Sequence, residues 1–520
     1  MIYSNRAIVR LKPTYTTPLS QDVDEIVVSA PAERQLQSDL LAVRVANSIT
    51  APYQTFRIDL APHSAWANLI RPYSLVSIAL QRYAPGDMAA TSTPEPVLLG
   101  LVDYVDVTED YGQASPHRRI SVCGRSLSAT LSDNRWWHHW FLADADGKRR
   151  DPPEWSNLFA GHLGEAQLKQ EAQLAARGFF AVDPHLFDAL VDSHPARAMK
   201  LAFDFYVGTA DQTGFIKLEF GSDGKRERLA SRLLFDEAAT QAGFHDPSCR
   251  LVKQAMPTSL LQDASCWDAL AHFCEQPFTE LFTDTYGNTV NDAAVHVIAR
   301  KPPWAGFIGF EGNKAVVDFK TGRPKGGQSL FDSEHGRWDA FIDTVNINVG
   351  ARNDVVCINL RRGVDGRNAT FNAFSVLPET SSPAGNNTGD QLLQREIPPL
   401  IDEDPDSPSY VLRYGIRPAP RHQSKYISVV GVDESKLEMG DAKSRAMAYE
   451  LLLREWYHRQ PEFWHGSYVL KGRTELRVGK RLLDHRAKRE FYITSVVHDL
   501  RCDTGRFIST VNVERGWDLE

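Results

Sequence analysis

Trp136–Trp140 is the segment whose residue types most readily suggest chemistry, because it places His138 and His139 between tryptophans. Such a segment could bind a metal ion or form an aromatic cage. Neighbouring side chains on a strand point to opposite faces, however, so the two histidines cannot face one ion together. A metal site would also need further ligands at suitable distances. We interpret the segment as a packed aromatic corner or a subunit contact.

Two loops resemble ion-binding or phosphate-binding motifs but depart from them at decisive positions. Asp402–Asp406 resembles a calcium loop, yet Ser407 and Arg413 stand where the EF-hand motif has Gly and Glu. Gly322–Gly327 is basic and glycine-rich, but it has neither the spacing of a phosphate-binding loop nor a following helix. We expect a solvated acidic loop in the first case and a mobile surface loop in the second.

A pair of carboxylates could still hydrolyse glycosides, because such a pair leaves no sequence signature. The candidates near predicted strand or helix ends are Glu109, Asp110, Glu275, Glu280, Asp284 and Asp292. Among 66 acidic residues, however, such pairs are expected by chance. The sequence contains no H-E-x-x-H, G-x-S-x-G or C-x-x-C cluster. It therefore predicts no catalytic residue, no metal site and no cofactor.

The composition is that of a folded globular protein. The chain has 520 residues, 42% hydrophobic and 24% charged, which predicts two to four domains. Its net charge of −8 argues against coating DNA or RNA, although nucleic acid could pass through an acidic lumen. Six scattered cysteines predict a reducing assembly compartment. We expect no membrane segment and no signal peptide, and hence synthesis in the cytoplasm.

Alternating apolar residues predict an antiparallel β-barrel or sandwich in the first part of the chain. Turn residues such as Pro85 and Gly86 separate the strands, which are Thr55–Leu60, Leu75–Leu80, Val97–Val107 and Arg119–Cys123. Asp103 interrupts the apolar face of the third strand. Residues 1–135 would thus form an N-terminal arm and a first barrel.

Helical patterns predict a helical or mixed domain over residues 136–290. Helices are expected at Gly164–Arg177, at Leu229–Ala242, and after a capping box formed by Ser265 and Asp268. The residues that the last helix should bury are Trp267, Leu270, Ala271 and Cys274.

A mixed β domain is predicted over residues 291–440, with a long exposed loop at Leu377–Pro408, which is rich in Pro, Ser, Asn and Asp. The strands expected from Thr279 onward are Thr279–Thr283, Val295–Ala299, Val345–Val349, Val355–Leu360 and Thr370–Val376.

Residues 441–520 are predicted to form a helix and the closing strands of a second barrel. The helix is expected at Asp441–Gln460, with an apolar face formed by Ala446, Tyr449, Leu453 and Trp456. Three β-type segments follow, at Gly472–Leu483, Phe491–His498 and Phe507–Gly516. Their alternating positions are Leu476 and Val478, then Tyr492, Thr494 and Val496, then Ile508, Thr510 and Asn512. The predicted fold is α+β and mainly β, with two antiparallel barrels around a mixed domain.

Several short motifs follow one another along the chain, and their order is more informative about the family than any single motif. They are Tyr73–Leu80 with Val97–Asp106, then Val122–Asp133 with Gly124 and Arg125 at a strand end, then Trp267–Asp284 with Val295–Pro303, and finally Arg413–Arg417 with the C-terminal strands. The series resembles the baseplate hub proteins of bacteriophage tails, the late-control or tail-hub type, which are related to the hub part of type VI secretion spike proteins. The N-terminal arm, Trp136–Ala210 and Leu377–Pro408 have no counterpart in that pattern.

The resemblance implies a structural protein and not an enzyme. Two barrels per chain in a homotrimer would form a tube-like hub with six near-equivalent positions around one axis. Such a ring would join a hexameric tail tube to a three-fold spike or tip protein and contact other baseplate proteins. Genomic DNA and the tape-measure protein would pass through its lumen. The implied location is the tail baseplate of the virion, after assembly in the host cytoplasm, in a contractile or a non-contractile tail.

Two alternatives stay open. A tail-associated peptidoglycan hydrolase would degrade cell wall and lose activity when one carboxylate is substituted. A peripheral receptor- or carbohydrate-binding tail protein would expose the aromatic side chains of Trp136–Trp140, whereas the hub interpretation expects most of them to be buried.

Overall fold

A computed structural model describes about half of the chain in long stretches and a smaller part in short pieces. The long stretches are 5–12, 25–30, 39–62, 69–83, 93–110, 117–134, 194–209, 227–237, 265–274, 279–300, 355–363, 370–378, 399–405, 409–420 and 463–518. The short pieces lie at 66, 216, 218–220, 310–311, 314–315, 317–318, 323–324, 344–347, 407, 422–424, 429–433, 436–439, 451–452, 455 and 459. Trp136–Trp140, Gly164–Arg177 and Glu275 lie outside the described residues.

Seven antiparallel strands form the N-terminal part of the structure. They are β1 (Arg6–Lys12), β2 (Ile26–Ala30), β3 (Leu40–Ser48), β4 (Thr55–Leu60), β5 (Leu75–Gln81), β6 (Glu95–Asp110) and β7 (His117–Ser126). Their order in the sheet is β2-β1-β5-β6-β7-β4-β3, and the strands curl until β2 contacts β3. The four strands predicted for this region are confirmed, with β6 and β7 longer than expected.

The alternating side chains of these strands bury one face in a common core. In β1, for example, Ala7, Val9 and Leu11 are buried among the apolar side chains of β3 to β7. The opposite face is covered as well, because Leu75, Leu99 and Leu101 pack against the middle of the chain. Burial on both faces explains why every residue of β5 except its last is buried.

The middle of the chain forms a small mixed domain on this outer face. Its elements are α1 (Ala129–Asp133), α2 (Pro195–Val207), β8 (Glu219–Phe220), β9 (Glu227–Arg228), a 3₁₀ turn (Leu229–Ser231), β10 (Leu233–Phe235), α3 (Cys266–Cys274), β11 (Glu280–Tyr286) and β12 (Ala294–Arg300). Strands β10, β12 and β11 form a three-stranded sheet in that order, and α2 packs against α3.

The capping box at the start of α3 is confirmed. The Ser265 backbone N–H donates to the Asp268 carboxylate at 2.8 Å, and the Asp268 N–H donates to the Ser265 hydroxyl at 3.1 Å. These two bonds satisfy N–H groups that have no partner within the helix. Of the four residues expected to be buried, Leu270 and Cys274 are fully buried, while Trp267 and Ala271 are partly buried against the same core.

The helix predicted at Leu229–Ala242 is wrong over Leu229–Phe235, although Glu237 is helical. This segment makes a 3₁₀ turn and then β10, in which Leu233 pairs with Val295 and Phe235 with Val297 in parallel. Pairing with a distant strand and burial of Leu233 outweigh the helix propensity of the segment.

The region from residue 301 to 440 contributes mostly short strands and one short helix. They are β13 (Phe310–Glu311), β14 (Lys314–Ala315), β15 (Val317–Asp318), β16 (Arg323–Pro324), β17 (Thr344–Ile347), β18 (Val355–Arg362), β19 (Ala373–Phe374), β20 (Val376–Pro378), β21 (Leu400–Ile401), α4 (Val411–Tyr414), β22 (His422–Ser424), β23 (Val429–Asp433) and β24 (Lys436–Met439). Within Gly322–Gly327, the described Arg323 and Pro324 form a strand paired with Val317–Asp318, so the expected surface loop is wrong there.

The expected exposed acidic loop is confirmed at Glu403 and Pro405, which are exposed, but it is wrong at Asp402. Asp402 is buried, and its carboxylate accepts hydrogen bonds from the hydroxyls of Ser407 and Ser409, which are buried too. Leu400–Ile401 pairs with Ala373–Phe374 just before it. The two hydroxyls replace water as hydrogen-bond donors to the carboxylate, and this allows Asp402 to be buried.

The C-terminal strands continue the N-terminal sheet. They are β25 (Trp464–Lys471), β26 (Arg481–Asp484), β27 (Arg489–Arg501) and β28 (Arg506–Asp518). The order β18-β25-β28-β27-β3 joins them to the N-terminal strands in one sheet of 13 strands, in which β17 and β26 branch from β27. Their core contains Tyr468, Phe491 and Val511.

Two details of the C-terminal prediction need correction, and a third is described only in part. Gly472–Lys480 forms turns, not a strand, although Leu476 and Val478 are buried as expected. In β28 the face that contacts the core is formed by Phe507, Ser509, Val511 and Val513. The face of Ile508, Thr510 and Asn512 is the opposite one. Of the predicted helix Asp441–Gln460, the structure describes Leu451, Leu452 and Glu455 as helical, and the predicted apolar face lies outside the described residues.

The mainly β fold class is confirmed, with a large curled antiparallel sheet in the shape of a half-barrel and few helices. Strands from both predicted barrels belong to this one sheet, and closure of each part as a barrel stays a prediction. So do the domain boundaries. No helix within the described stretches is long and apolar enough to cross a membrane.

Candidate functional site at the junction of three chain segments

The two ends of the chain meet along the β3–β27 pair, where Val45 lies opposite His498. Strand β11 of the middle domain contacts β6 and one end of this seam, where the Asn47 side chain donates to the Thr283 carbonyl at 3.0 Å. Three distant parts of the chain therefore converge here. The polar side chains that join them are called the junction below.

Asp284 is the centre of the junction. Its Oδ1 accepts from Gln54 Nε2 at 3.1 Å, from Arg477 Nη1 at 3.3 Å and from the Thr285 backbone N–H at 2.9 Å. Gln54 belongs to the N-terminal part, Asp284 to the middle and Arg477 to the C-terminal part. One buried carboxylate thus connects all three.

Arg477 supplies the charge that this carboxylate needs. The exposed fraction of the side chain is 11% for Arg477 and 1% for Asp284. Arg477 also donates to the carbonyls of Thr285, at 3.1 Å, and of Pro96. The Tyr286 ring lies beside the guanidinium, with 6.0 Å between the ring centroid and Arg477 Cζ. A buried pair of this kind holds its neighbours in one arrangement, because separating its members leaves a charge without water.

A second buried ion pair lies on the same face of β11. Arg300 Nε donates to Glu280 at 3.1 Å, and Arg300 Nη2 donates to the Gly479 carbonyl at 2.8 Å and to Tyr492 Oη at 3.2 Å. Burial raises the pKa of the Glu280 carboxyl, with Arg300 acting in the opposite direction. This pair fastens the three-stranded sheet to the C-terminal strands.

Gly479 is required by this second pair. Its φ of +76° is a left-handed conformation that glycine adopts without cost, and a Cβ there would lie 2.6 Å from Arg300 Nη2. The same residue donates its N–H to the Ile493 carbonyl at 2.9 Å. The turn that follows β25 is therefore shaped to bring a carbonyl to Arg300.

Arg125, from the Gly-Arg motif, clamps a strand to a helix. Its guanidinium contacts Asp103 on β6 at 2.7 and 3.0 Å and Asp133 at the end of α1 at 2.8 Å. Hydrogen bonding raises the pKa of Arg125 above its ordinary value, with Asp103 contributing most and Asp133 next. Gly124 is needed beside it, because a Cβ would lie 2.0 Å from the Leu101 carbonyl. The motif thus has a structural explanation in this chain.

We predict that Arg125→Lys lowers the free energy of unfolding by about 1–3 kcal/mol, because one ammonium group cannot replace a fork that holds two carboxylates. Urea unfolding measures the change. Arg118→Lys is the matched control, since Arg118 makes an exposed pair with Glu109 at 3.2 Å and should change stability by less than about 0.5 kcal/mol. Equal effects of the two substitutions would contradict the clamp.

A chain of hydroxyl groups connects the clamp to the junction. Ser126 Oγ lies 2.7 Å from Ser128 Oγ, which lies 3.1 Å from Thr283 Oγ1 next to Asp284. The backbone N–H of Gln54 donates to Ser126 Oγ at 3.0 Å. The start of α1 is therefore tied to β11 by side chains that are buried and satisfied.

A buried histidine lies in the seam itself. His498 is 4% exposed, and its Nδ1 lies 2.9 Å from Ser509 Oγ. Burial, together with the positive charge of Arg477, lowers the pKa of His498 to about 3. Ser509 is also buried and accepts from the Arg473 N–H at 2.9 Å, so this serine and histidine serve packing and are not accessible to a substrate.

The carboxylates considered for glycoside hydrolysis do not form an accessible pair within the described residues. Glu280 and Asp284 share a strand face, but each is buried against its own arginine. Glu109 is paired with Arg118, and Asp292 caps an exposed turn by accepting from the Thr289 hydroxyl at 2.6 Å. Nothing is described of the Asp110 side chain. Across the described stretches, no group of three or more His, Cys, Asp or Glu side chains could hold a metal ion.

Sequence reasoning missed the partners of these carboxylates. Arg300 belongs to the Val295–Pro303 motif, but no partner was predicted for it, and Arg477 and Gln54 were not singled out. All three meet β11 only through the fold. One signal was available: Asp103 interrupts an apolar strand face, and the structure explains it as a partner of Arg125. A charge at an apolar position can thus indicate a buried clamp.

Fold and junction together define a mainly β protein whose buried polar groups connect chain segments. No family model and no curated protein matches the sequence. Solved structures that align with the chain include a tail protein from Neisseria meningitidis, with 10% identity, coverage of 98% of this chain and 97% of that one, and a TM-score of 0.42.

Two further solved structures also align with the chain. The 43 kDa tail protein of a Shewanella oneidensis prophage is 11% identical, with 98% of each chain covered and a TM-score of 0.42. A component of the Escherichia coli type VI secretion system, described as similar to bacteriophage T4 tail proteins, is 7% identical, with 92% of this chain and 75% of that one covered and a TM-score of 0.31. They are proteins of the kind that the sequence motifs resemble. Similarity this distant assigns no role to any residue.

Proposed function

We propose that this chain is the baseplate hub of a phage tail. Three copies would form a ring that adapts a hexameric tail tube to a three-fold spike or tip and lines a channel for DNA and the tape-measure protein. The observation that carries the proposal is the single curled sheet, an open half-barrel to which both ends of the chain contribute. An open half-barrel is suited to completion by further copies, and rings close through heterologous contacts of this type.

The junction supports a structural role in which the chain keeps its parts in a fixed arrangement. An adaptor has to hold its two halves at a constant angle while it bears load. Asp284 pairs with Arg477 of the C-terminal part, and Arg300, which is paired with Glu280 inside the three-stranded sheet, donates to the Gly479 carbonyl and to Tyr492 Oη. These contacts would restrict movement of the middle domain relative to the C-terminal strands. Work on the assembly would come from other tail proteins, and the hub would contribute binding surfaces.

Exposed apolar side chains next to the Arg413–Arg417 motif support contact with other subunits or baseplate proteins. Leu412 is 80% exposed and Ile416 is 69% exposed. Asn372 holds this segment in place by donating to the Gly415 carbonyl at 2.8 Å and accepting from the Arg417 N–H at 2.7 Å. Large apolar side chains on a fixed turn are suited to burial in an assembly.

The alternatives receive less support. The buried state of Glu280 and Asp284 does not favour a peptidoglycan hydrolase, which needs carboxylates that reach a sugar. Trp136–Trp140 lies outside the described residues, so receptor or carbohydrate binding by this segment stays a rival proposal. A non-enzymatic protein at the tail baseplate is the function we infer.

The mass of the purified protein tests the proposal. We expect light scattering to give three times the chain mass of 58.3 kDa, either alone or after tube or spike protein is added, and electron microscopy to show a ring. A monomer that stays monomeric with both neighbours present would contradict the hub. A cell-wall degradation assay on the same preparation would then test the hydrolase alternative.

A further inference from the structure

Strand β18 lies at one end of the large sheet and presents an open edge. Among the described strands it pairs only with β25, in which Tyr468 lies opposite Ile358. Most of its side chains are exposed, including Val356 at 57% and Ile358 at 39%. An exposed edge of this kind offers unpaired backbone N–H and C=O groups to which another strand can add.

The second half of β6 presents another open edge. Strand β5 pairs with β6 from Glu95 to Leu101 and then turns away. From Asp103 to Asp110, β6 pairs with β7 and with no other strand that the structure describes. Tyr104 is 57% exposed here and Val107 is 39% exposed. Over these residues β6 is therefore an edge strand, although it lies in the middle of the sheet elsewhere.

The two edges have the same arrangement of side chains. On β18, Leu360 packs against the core of the C-terminal strands, and Ile358 continues that face into solvent. On β6, Val105 packs against the core of the N-terminal strands, and Val107 continues that face into solvent. Each core thus ends at an uncovered edge. The opposite faces are exposed and mainly polar, with Cys357, Asn359 and Arg361 on β18 and with Tyr104, Asp106 and Thr108 on β6.

These two edges are suited to each other in different copies of the chain. Within one copy they do not pair, and six strands lie between them in the sheet. Val355–Arg362 and Asp103–Asp110 are equally long, and their pairing would place apolar face beside apolar face. Contact between two different edges is heterologous and can repeat around an axis until a ring closes, whereas pairing of two identical edges stops at two copies.

We propose that β18 of one copy adds to the Asp103–Asp110 edge of β6 in the next copy, so that the sheet continues from chain to chain. Ile358 of one copy and Val107 of the next would then share one covered face that is continuous with both cores. Backbone hydrogen bonds would supply affinity, and the matching faces would select the register. This inference rests on the proposed hub function, because it assigns the contact through which the copies of the ring would join.

Two lysine substitutions test the contact, under the conditions in which the wild type is a trimer by light scattering. Ile358→Lys and Val107→Lys each place an ammonium group on a face that the joined strands would cover, where its burial without a partner is costly. We expect each variant alone to be a monomer, with a threefold lower mass. An equimolar mixture should form a species of two chains, because Ile358→Lys retains an intact β6 edge and Val107→Lys retains an intact β18 edge.

Val27→Lys is the matched control, because Val27 is 52% exposed on β2 at the opposite end of the sheet and its substitution should leave the trimer intact. The melting temperature shows whether each variant is folded, and if one lysine variant does not fold, the other decides the question. Folded variants that remain trimeric, a mixture that stays monomeric, or an equal loss of assembly in Val27→Lys would overturn the edge pairing alone. A wild type that never assembles would instead contradict the hub itself.

Discussion

Replacing Arg477 with methionine is expected to lower the free energy of unfolding by about 3–5 kcal/mol, because it leaves Asp284 buried without its counter-charge. Methionine preserves most of the volume of the arginine stem, so the loss comes from the ion pair and from the hydrogen bonds to Thr285 and Pro96. The midpoint and slope of urea unfolding, followed by tryptophan fluorescence, measure the effect.

A double-mutant cycle separates the pair from its neighbours. Asp284→Asn in the Arg477→Met background removes the isolated charge and should recover part of the lost stability, since an uncharged amide is less costly to bury. Arg501→Met, at an exposed position at the end of β27, is the control and should change stability by less than about 0.5 kcal/mol. A loss below about 1 kcal/mol for Arg477→Met would show that the junction does not fasten the halves.

The elements that sequence reasoning predicted correctly are those whose signals are local. Strand β4 follows from alternation within six residues, and the start of α3 follows from Ser265 and Asp268, which contact each other three residues apart. In both cases the residues that determine the structure are neighbours in the chain. Local patterns of this kind can be read without knowledge of the fold.

The elements that it missed depend on distant pairing. The segment around Leu233 has good helix propensity but forms a strand because Val295 lies beside it. The junction is a stronger case, since Asp284 and Arg477 are 193 residues apart. A single sequence contains no pattern that links these two positions. The candidate site therefore became visible only when β3, β11 and β27 were placed together.

That placement also changes how the two predicted barrels are understood. The sequence suggests two separate units, yet β3 and β27 pair over seven residues from Ala42 to Ser48, so strands from both ends form one sheet. A seam of backbone hydrogen bonds can still bend. His498 of β27 is buried in this seam opposite Val45 of β3, and the stability of the seam should therefore depend on whether this imidazole is protonated.

Acid is expected to weaken the seam through His498. The folded protein keeps this imidazole neutral because burial and Arg477 lower its pKa to about 3, compared with about 6.5 for an ordinary histidine. As the pH falls below 6.5, the unfolded chain gains a proton that the folded protein does not bind. The contribution of His498 to stability is thus complete above pH 6.5, declines by about 1.4 kcal/mol per pH unit and is lost near pH 3.

Urea unfolding at pH 7 and pH 5 measures this dependence. Wild-type protein should lose about 2 kcal/mol more between the two values than His498→Gln, which has no proton to gain. Because both proteins contain the same other titratable groups, including Glu280, the contributions of those groups to the pH dependence cancel in the comparison. His485→Gln, at an exposed position after β26, is the matched control and should retain the wild-type dependence. Equal pH dependence in wild type and His498→Gln would mean that the folded protein binds this proton as readily as the unfolded chain does, and acid would then not weaken the seam through His498.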